Sequence, residues 1–154
     1  MISVELVEEL KKELEKLFAE EENTNNYETK QDIKKVPKVN TGWYTQKVNK
    51  EDFPYILISP VQQTWNLDLS KVDLVLIVGS YSKDLEGWKD TALMAEKIRQ
   101  YLTKTKYIAK RFEINSDARV EFPDDQPYPI SFCAMYLSFN VYNTYNEEGG
   151  ELTW

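Results

Sequence analysis

Histidine is missing from this chain altogether, and cysteine occurs once, as Cys133, in 154 residues. Without histidine there is no Ser–His–Asp triad, no Cys–His pair and no imidazole ligand for zinc. A lone thiol can form neither an internal disulfide nor a Cys-cluster metal site. Glycine is scarce at five residues and follows neither the GxxxxGK[ST] nor the GxGxxG spacing, so both phosphate-binding fingerprints are absent. No apolar run approaches the ~18 residues of a membrane span. The opening MISVELVEELKKELEKLF lacks the basic-then-apolar order of a signal peptide, so folding in a reducing cytoplasm is expected. Basic residues are outnumbered, 19 Lys and Arg against 26 Asp and Glu, for a net charge of −7. A sequence-independent grip on nucleic acid needs the opposite balance. These deficits point away from an enzyme and name no catalytic residue, cofactor or metal.

Aromatic residues are plentiful: ten Tyr, six Phe and four Trp make 13% of the chain, within a hydrophobic content of 42%. Such a length and content suit one packed domain. Tyr and Trp join a large apolar area to a polar tip, which fits half-buried strands and contact surfaces alike.

Val7, Leu10, Leu14 and Leu17, widened by Leu6 and Phe18, recur on one face of a helix predicted over 3–19, with Ser3 as its N-cap. Residues 20–52 turn polar and read as a long arm. Its two short β-prone runs around Asn40-Thr41-Gly42 suggest a hairpin with Trp43 and Tyr44 exposed at the tip. Strands follow at 53–60, bounded by prolines, and at 72–79, whose branched apolar run suits burial on both faces. A helix over 87–104 places Trp88, Ala92, Ala95, Ile98 and Leu102 on one side, with Met94 and Tyr101 at the margin. A strand at 109–115, a solvated Asp/Pro-rich loop to Pro129 and a long strand at 130–142 complete the order, before a flexible tail at 143–154. In the last strand Cys133, Met135, Leu137, Phe139 and Val141 form a wholly apolar side that should face the core. Cys133 is thus a buried structural thiol.

The expected fold is α+β: over 1–142, a mixed, mainly antiparallel sheet of about four strands plus the hairpin arm, with two helices packed on one face. Asp73, Asp84, Glu86 and Asp90 cluster near one strand–helix connection, and Glu121, Asp124 and Asp125 in another loop. Paired carboxylates can bind Mg²⁺ or act as acid and base. Each here also has an ordinary structural place in a strand start, a first helical turn or a proline-rich loop.

Phe53-Pro54-Tyr55-Ile56-Leu57-Ile58, Leu74-Val75-Leu76-Ile77-Val78-Gly79, the helix start Gly87-Trp88-Lys89-Asp90, its end Ile98-Arg99-Gln100-Tyr101-Leu102 and the strand from Pro129-Ile130 resemble the tail terminator and neck (tail-completion) proteins of tailed bacteriophages. The likeness covers about 53–142 and the first helix; the arm and the tail have no counterpart. It implies a non-enzymatic virion protein, assembled in the host cytoplasm into a ring, most often a hexamer. Such a ring caps the tail tube and joins it to neck or connector proteins of the head. The residues expected at subunit or partner contacts are Trp43, Tyr44, Tyr81, Phe132, Tyr136, Tyr142 and Trp154. An acidic loop with Asp117, Glu121, Asp124 and Asp125 would line a lumen through which DNA passes without being held. Two other readings stay open at this point: a monomeric cytoplasmic adaptor docking through Trp43 and Tyr44, and a head-completion connector subunit.

Overall fold

The computed structural model describes residues 2–24, 36–43, 52–145 and 152–153. Its centre is a pair of long antiparallel strands, β3 (Leu69–Tyr81) and β7 (Ile130–Tyr142), in register from Leu69↔Tyr142 to Tyr81↔Ile130. Because side chains alternate across a strand, one choice of register fixes both faces. Cys133, Met135, Leu137, Phe139 and Val141 are all buried on one of them, beside Val72, Leu74, Leu76 and Val78.

Two helices close that face. In α1 (Ile2–Thr24), Ile2, Leu6, Val7, Leu10, Leu14 and Phe18 are buried in the same core. Helix α2 (Gly87–Thr105) adds Met94, Ala95, Ile98 and Leu102. Polar links pin the helices. The Arg111 Nη1 donates to both carboxylate oxygens of Glu5, at 2.5 and 2.6 Å, and the Tyr101 hydroxyl donates to Glu13. Ser3 is no cap; it lies inside α1 and donates its hydroxyl to the Gln63 side chain. Trp88 does not join the inner face of α2 and stays 53% exposed. Thr91 takes the inward position instead, because its hydroxyl pairs with Ser80 at 2.7 Å and donates to the Ser131 carbonyl at 3.1 Å.

The α+β class holds, yet the sheet is larger than about four strands. Seven strands, in the order β1 (Lys38–Thr41), β2 (Tyr55–Trp65), β3, β7, β5 (Phe112–Ile114) and β4 (Tyr107–Ile108), with β6 (Arg119–Glu121) also on β7, curl into a half-barrel. Strand β1, the first half of the expected hairpin, belongs to the main sheet: it lies parallel to β2, from Lys38↔Tyr55 to Thr41↔Ile58. It ends where Gly42, at φ 94, turns and donates its N–H to the Ile58 carbonyl. The second half of that expected hairpin, with Tyr44, lies outside the described residues.

Strand β2 runs through Pro60, beyond the boundary expected there. β1 pairs it only as far as Ile58, and the register with β3 shifts between Pro60 and Gln62. An edge position with a bulge is where a strand tolerates proline. The strand expected at 109–115 splits into β4 (Tyr107–Ile108) and β5 (Phe112–Ile114), folded back at Ala109 and Lys110, whose φ values are 55 and 58. Left-handed backbone costs a non-glycine residue about 1–2 kcal/mol, so this turn leans on its tertiary surroundings. Finally, β6 (Arg119–Glu121) lies inside the loop expected to be solvated and pairs with β7.

Phe139, fully buried between the helices and the sheet, measures this core. Phe139→Ala is expected to cost about 3–5 kcal/mol. The check is urea unfolding, with a lower midpoint at unchanged slope.

Candidate functional site

The sheet face turned away from the helices carries a second, smaller buried cluster, in which Phe53, Tyr55 and Leu57 pack with Ile77, Tyr81 and Ile130. Along β7 this face presents Phe132, Ala134, Tyr136, Ser138, Asn140 and Tyr142; opposite them on β3 stand Gly79, Ile77, Val75, Asp73, Lys71 and Leu69. At one end they form an apolar groove of about 320 Å³, lined by Trp43, Phe53, Tyr55, Leu57, Ile77, Ile130 and Phe132, with Ser59 and Pro127. Phe53 sets the packing there, with its ring 5.0 Å from Tyr55 in an edge-on contact and 6.0 Å from Tyr81. Tyr55 lies over Gly79, its direct partner across the ladder. A Cβ at that position would stand 2.4 Å from the Tyr55 ring, so only glycine leaves the ring its place.

Further along the same face the lining turns polar. Lys71, Asp73, Asp117, Arg119, Tyr136 and Ser138 surround a shallow hollow of about 420 Å³. The Arg119 guanidinium stacks 4.1 Å from the Tyr136 ring centre, and its Nε donates to Glu121 at 2.8 Å. Ser138 donates its hydroxyl to Asp73.

The expected contact residues are therefore distributed unevenly. Trp43, Tyr81 and Phe132 come together at the groove end. Tyr136 lies mid-face under Arg119, and Tyr142 stands 66% exposed at the far end. Tyr44 and Trp154 lie outside the described residues. Phe53, Tyr55 and Leu57 were missed as site residues. Their odd-numbered alternation against Ile56 and Ile58 is the signal that finds them.

Asp117, Glu121, Asp124 and Asp125 are all exposed, yet they do not share one loop. Asp117 borders the polar hollow, Glu121 sits in β6 paired with Arg119, and Asp124 and Asp125 follow in the connection to β7. The carboxylates before α2 serve local structure. Asp84 accepts from the Ser82 hydroxyl and the Glu86 N–H, both at 2.8 Å, and Glu86 pairs with Lys89 at 2.6 Å. Among the described residues, no three or more His, Cys, Asp or Glu side chains converge to hold a metal ion. The expected tail opens on a fixed residue: Asn143 donates its backbone N–H to Asp68 and its side-chain amide to Asn66, and accepts from Ser70 at 3.0 Å. Beyond it, β8 (Thr144–Tyr145) pairs with β9 (Leu152–Thr153).

No protein-family model matches the chain, and no curated protein matches it at a significant level. Among the described residues no helix is long and apolar enough to cross a membrane.

Two measurements test this geometry. Gly79→Ala is expected to displace the Tyr55 ring and cost about 1–3 kcal/mol, as overpacking does, seen as a lower melting temperature. Burial pushes the Cys133 thiol from near 9 up to about 12. The folded chain then keeps a proton that the unfolded chain loses above pH 9, so this group's contribution is full below that value and falls away as pH climbs toward 12. Cys133 should stay silent to a thiol reagent at pH 8 until denaturant is added; rapid labelling of native protein would contradict the burial.

Proposed function

We propose that the chain is a structural, non-enzymatic virion subunit. In this reading it forms a ring, most often a hexamer in proteins of this kind, at the head-proximal end of a phage tail tube. The ring terminates the tube and joins it to the neck or connector, and it is assembled in the host cytoplasm. The observation that carries this reading is the two-sided sheet. One face is closed by both helices, while the other presents an aromatic groove beside a polar hollow, a layout suited to packing against further protein. The resemblance in residues 53–142 supplies the tail-end setting.

The acidic surplus fits that setting. A wall facing passing DNA is better acidic than basic, since repulsion keeps phosphates from lodging on it. Asp117, Glu121, Asp124 and Asp125 are the exposed carboxylates proposed for that wall, with Glu121 partly neutralised by Arg119. The adaptor alternative docks through Trp43, which is 66% exposed and borders the sheet-face groove beside β1.

The test is light scattering coupled to size exclusion, followed by negative-stain images of the protein alone and mixed with tail tubes. Rings, or density added at one tube end, are expected. Monomers that leave tube ends bare under every condition would refute the assignment.

A further inference from the structure

We infer that a groove beside the C-terminal half of α2 binds a small amphiphile, one anionic head on an apolar body. The site lies on the helix side of the sheet and stands independently of the ring reading. Its volume is about 550 Å³, within the roughly 300–1,000 Å³ of small-molecule sites. It is enclosed by α2, β5, β6 and β7. Leu102, Met135 and Leu137 form its inner wall and are buried, whereas Ile114 from β5 and Val120 from β6 are half-buried at its sides. An apolar body seated there covers surface that water now meets.

Charge selects the head. The chain as a whole carries −7, yet no Asp or Glu lines this groove, while Arg99 and Lys106 do. Arg99, Leu102, Thr103 and Lys106 stand at i, i+3, i+4 and i+7, so both cations share the side of α2 that turns Leu102 inward. Residues 97–111 hold six Lys or Arg and no acid. Arg99 is held by Glu96 and Arg111 by Glu5, but Lys104, Lys106 and Lys110 make no ion pair among the described residues. Arg119 also borders the groove, with its guanidinium engaged by Tyr136 and Glu121. Lys106 is therefore the cation at the mouth whose charge is unmatched. Its backbone is left-handed, at φ 64, and caps α2 through its N–H on the Leu102 carbonyl at 2.9 Å. Glycine takes such a cap without strain; a lysine there sets an ammonium beside the groove. The helix end opposes an anion with about half a charge, which the full charge of Lys106 outweighs. A polyphosphate or nucleic acid lacks the apolar body, and a neutral lipid lacks the head.

The experiment is calorimetric titration of the whole chain with hexanoate, octanoate, decanoate, decanol and decylammonium. Decanoate is expected to bind one to one. Each step up the series should tighten binding roughly tenfold, the factor that two buried methylenes supply. Decanol should bind at least tenfold more weakly than decanoate, and decylammonium should give no heat. Decyl phosphate, run beside decanoate, tells which anionic head is preferred, and saturable binding of either supports the site. Lys106→Gln should weaken decanoate about tenfold, as loss of a charged hydrogen-bond partner does, and leave decanol unchanged. Ala118→Trp, at an exposed position on the rim, should block both ligands. Lys83→Gln removes an exposed lysine before the opposite end of α2 and should leave decanoate binding as it is. Melting curves of the three variants should match that of the unaltered chain, which separates lost binding from lost folding. Affinity that ignores chain length, decanol as tight as decanoate, equal loss in Lys83→Gln, or no heat with any ligand would each overturn the site.

Discussion

Everything else in the molecule depends on the unbroken ladder between Leu69–Tyr81 and Ile130–Tyr142. A slip of one residue would turn Cys133, Met135, Leu137, Phe139 and Val141 out of the core and put Phe132, Ala134, Tyr136 and Ser138 in their place. The helices would then meet a face of mixed polarity, and the aromatic groove would lose its lining. Burial on the helix side and the aromatic groove on the other are thus two readouts of one register. The tight fit of Tyr55 over Gly79 reinforces it, because β2 has a single position at which a ring meets an empty Cβ site.

The edges are treated differently from the face. The outer side of β7 is occupied along most of its length by short pieces: β5 at Phe139 and Asn140, the Asn115 N–H on the Ser138 carbonyl, and β6 from Ala134 to Tyr136. Where β6 ends, the Gln126 side chain takes over. Its amide oxygen accepts from the Phe132 N–H at 2.8 Å and its amide nitrogen donates to the Phe132 carbonyl at 3.1 Å. A single side chain thereby imitates a paired strand residue.

Much of this was legible before any coordinates. The stripe of α1 and the alternation of β7 are strong signals because each element buries one face over many residues, and the limits of β7 fall at Ile130 and Tyr142 as read. What escaped the sequence shares a cause: it is decided by distant partners. β1 is four residues long, and its parallel neighbour Tyr55–Ile58 lies across a connection that no local turn residue announces. The Ala109-Lys110 turn has neither the glycine nor the asparagine that normally marks left-handed backbone. Trp88 looked inward by periodicity, but the buried hydroxyl pair of Ser80 and Thr91 rotates α2 so that a threonine faces the sheet. Of the candidate contacts, Phe132 was accessible from strand parity alone; its companions Phe53, Tyr55 and Leu57 needed the β2–β3 pairing to join it.

The Gln126 clasp also bears on crowding. A protein made in many copies and brought together at one place risks fibrillar stacking through any bare strand edge. A side-chain amide saturates the backbone of Phe132 without offering a fresh backbone edge in return, as an added strand would. Sheet growth is halted there by chemistry that cannot itself be extended.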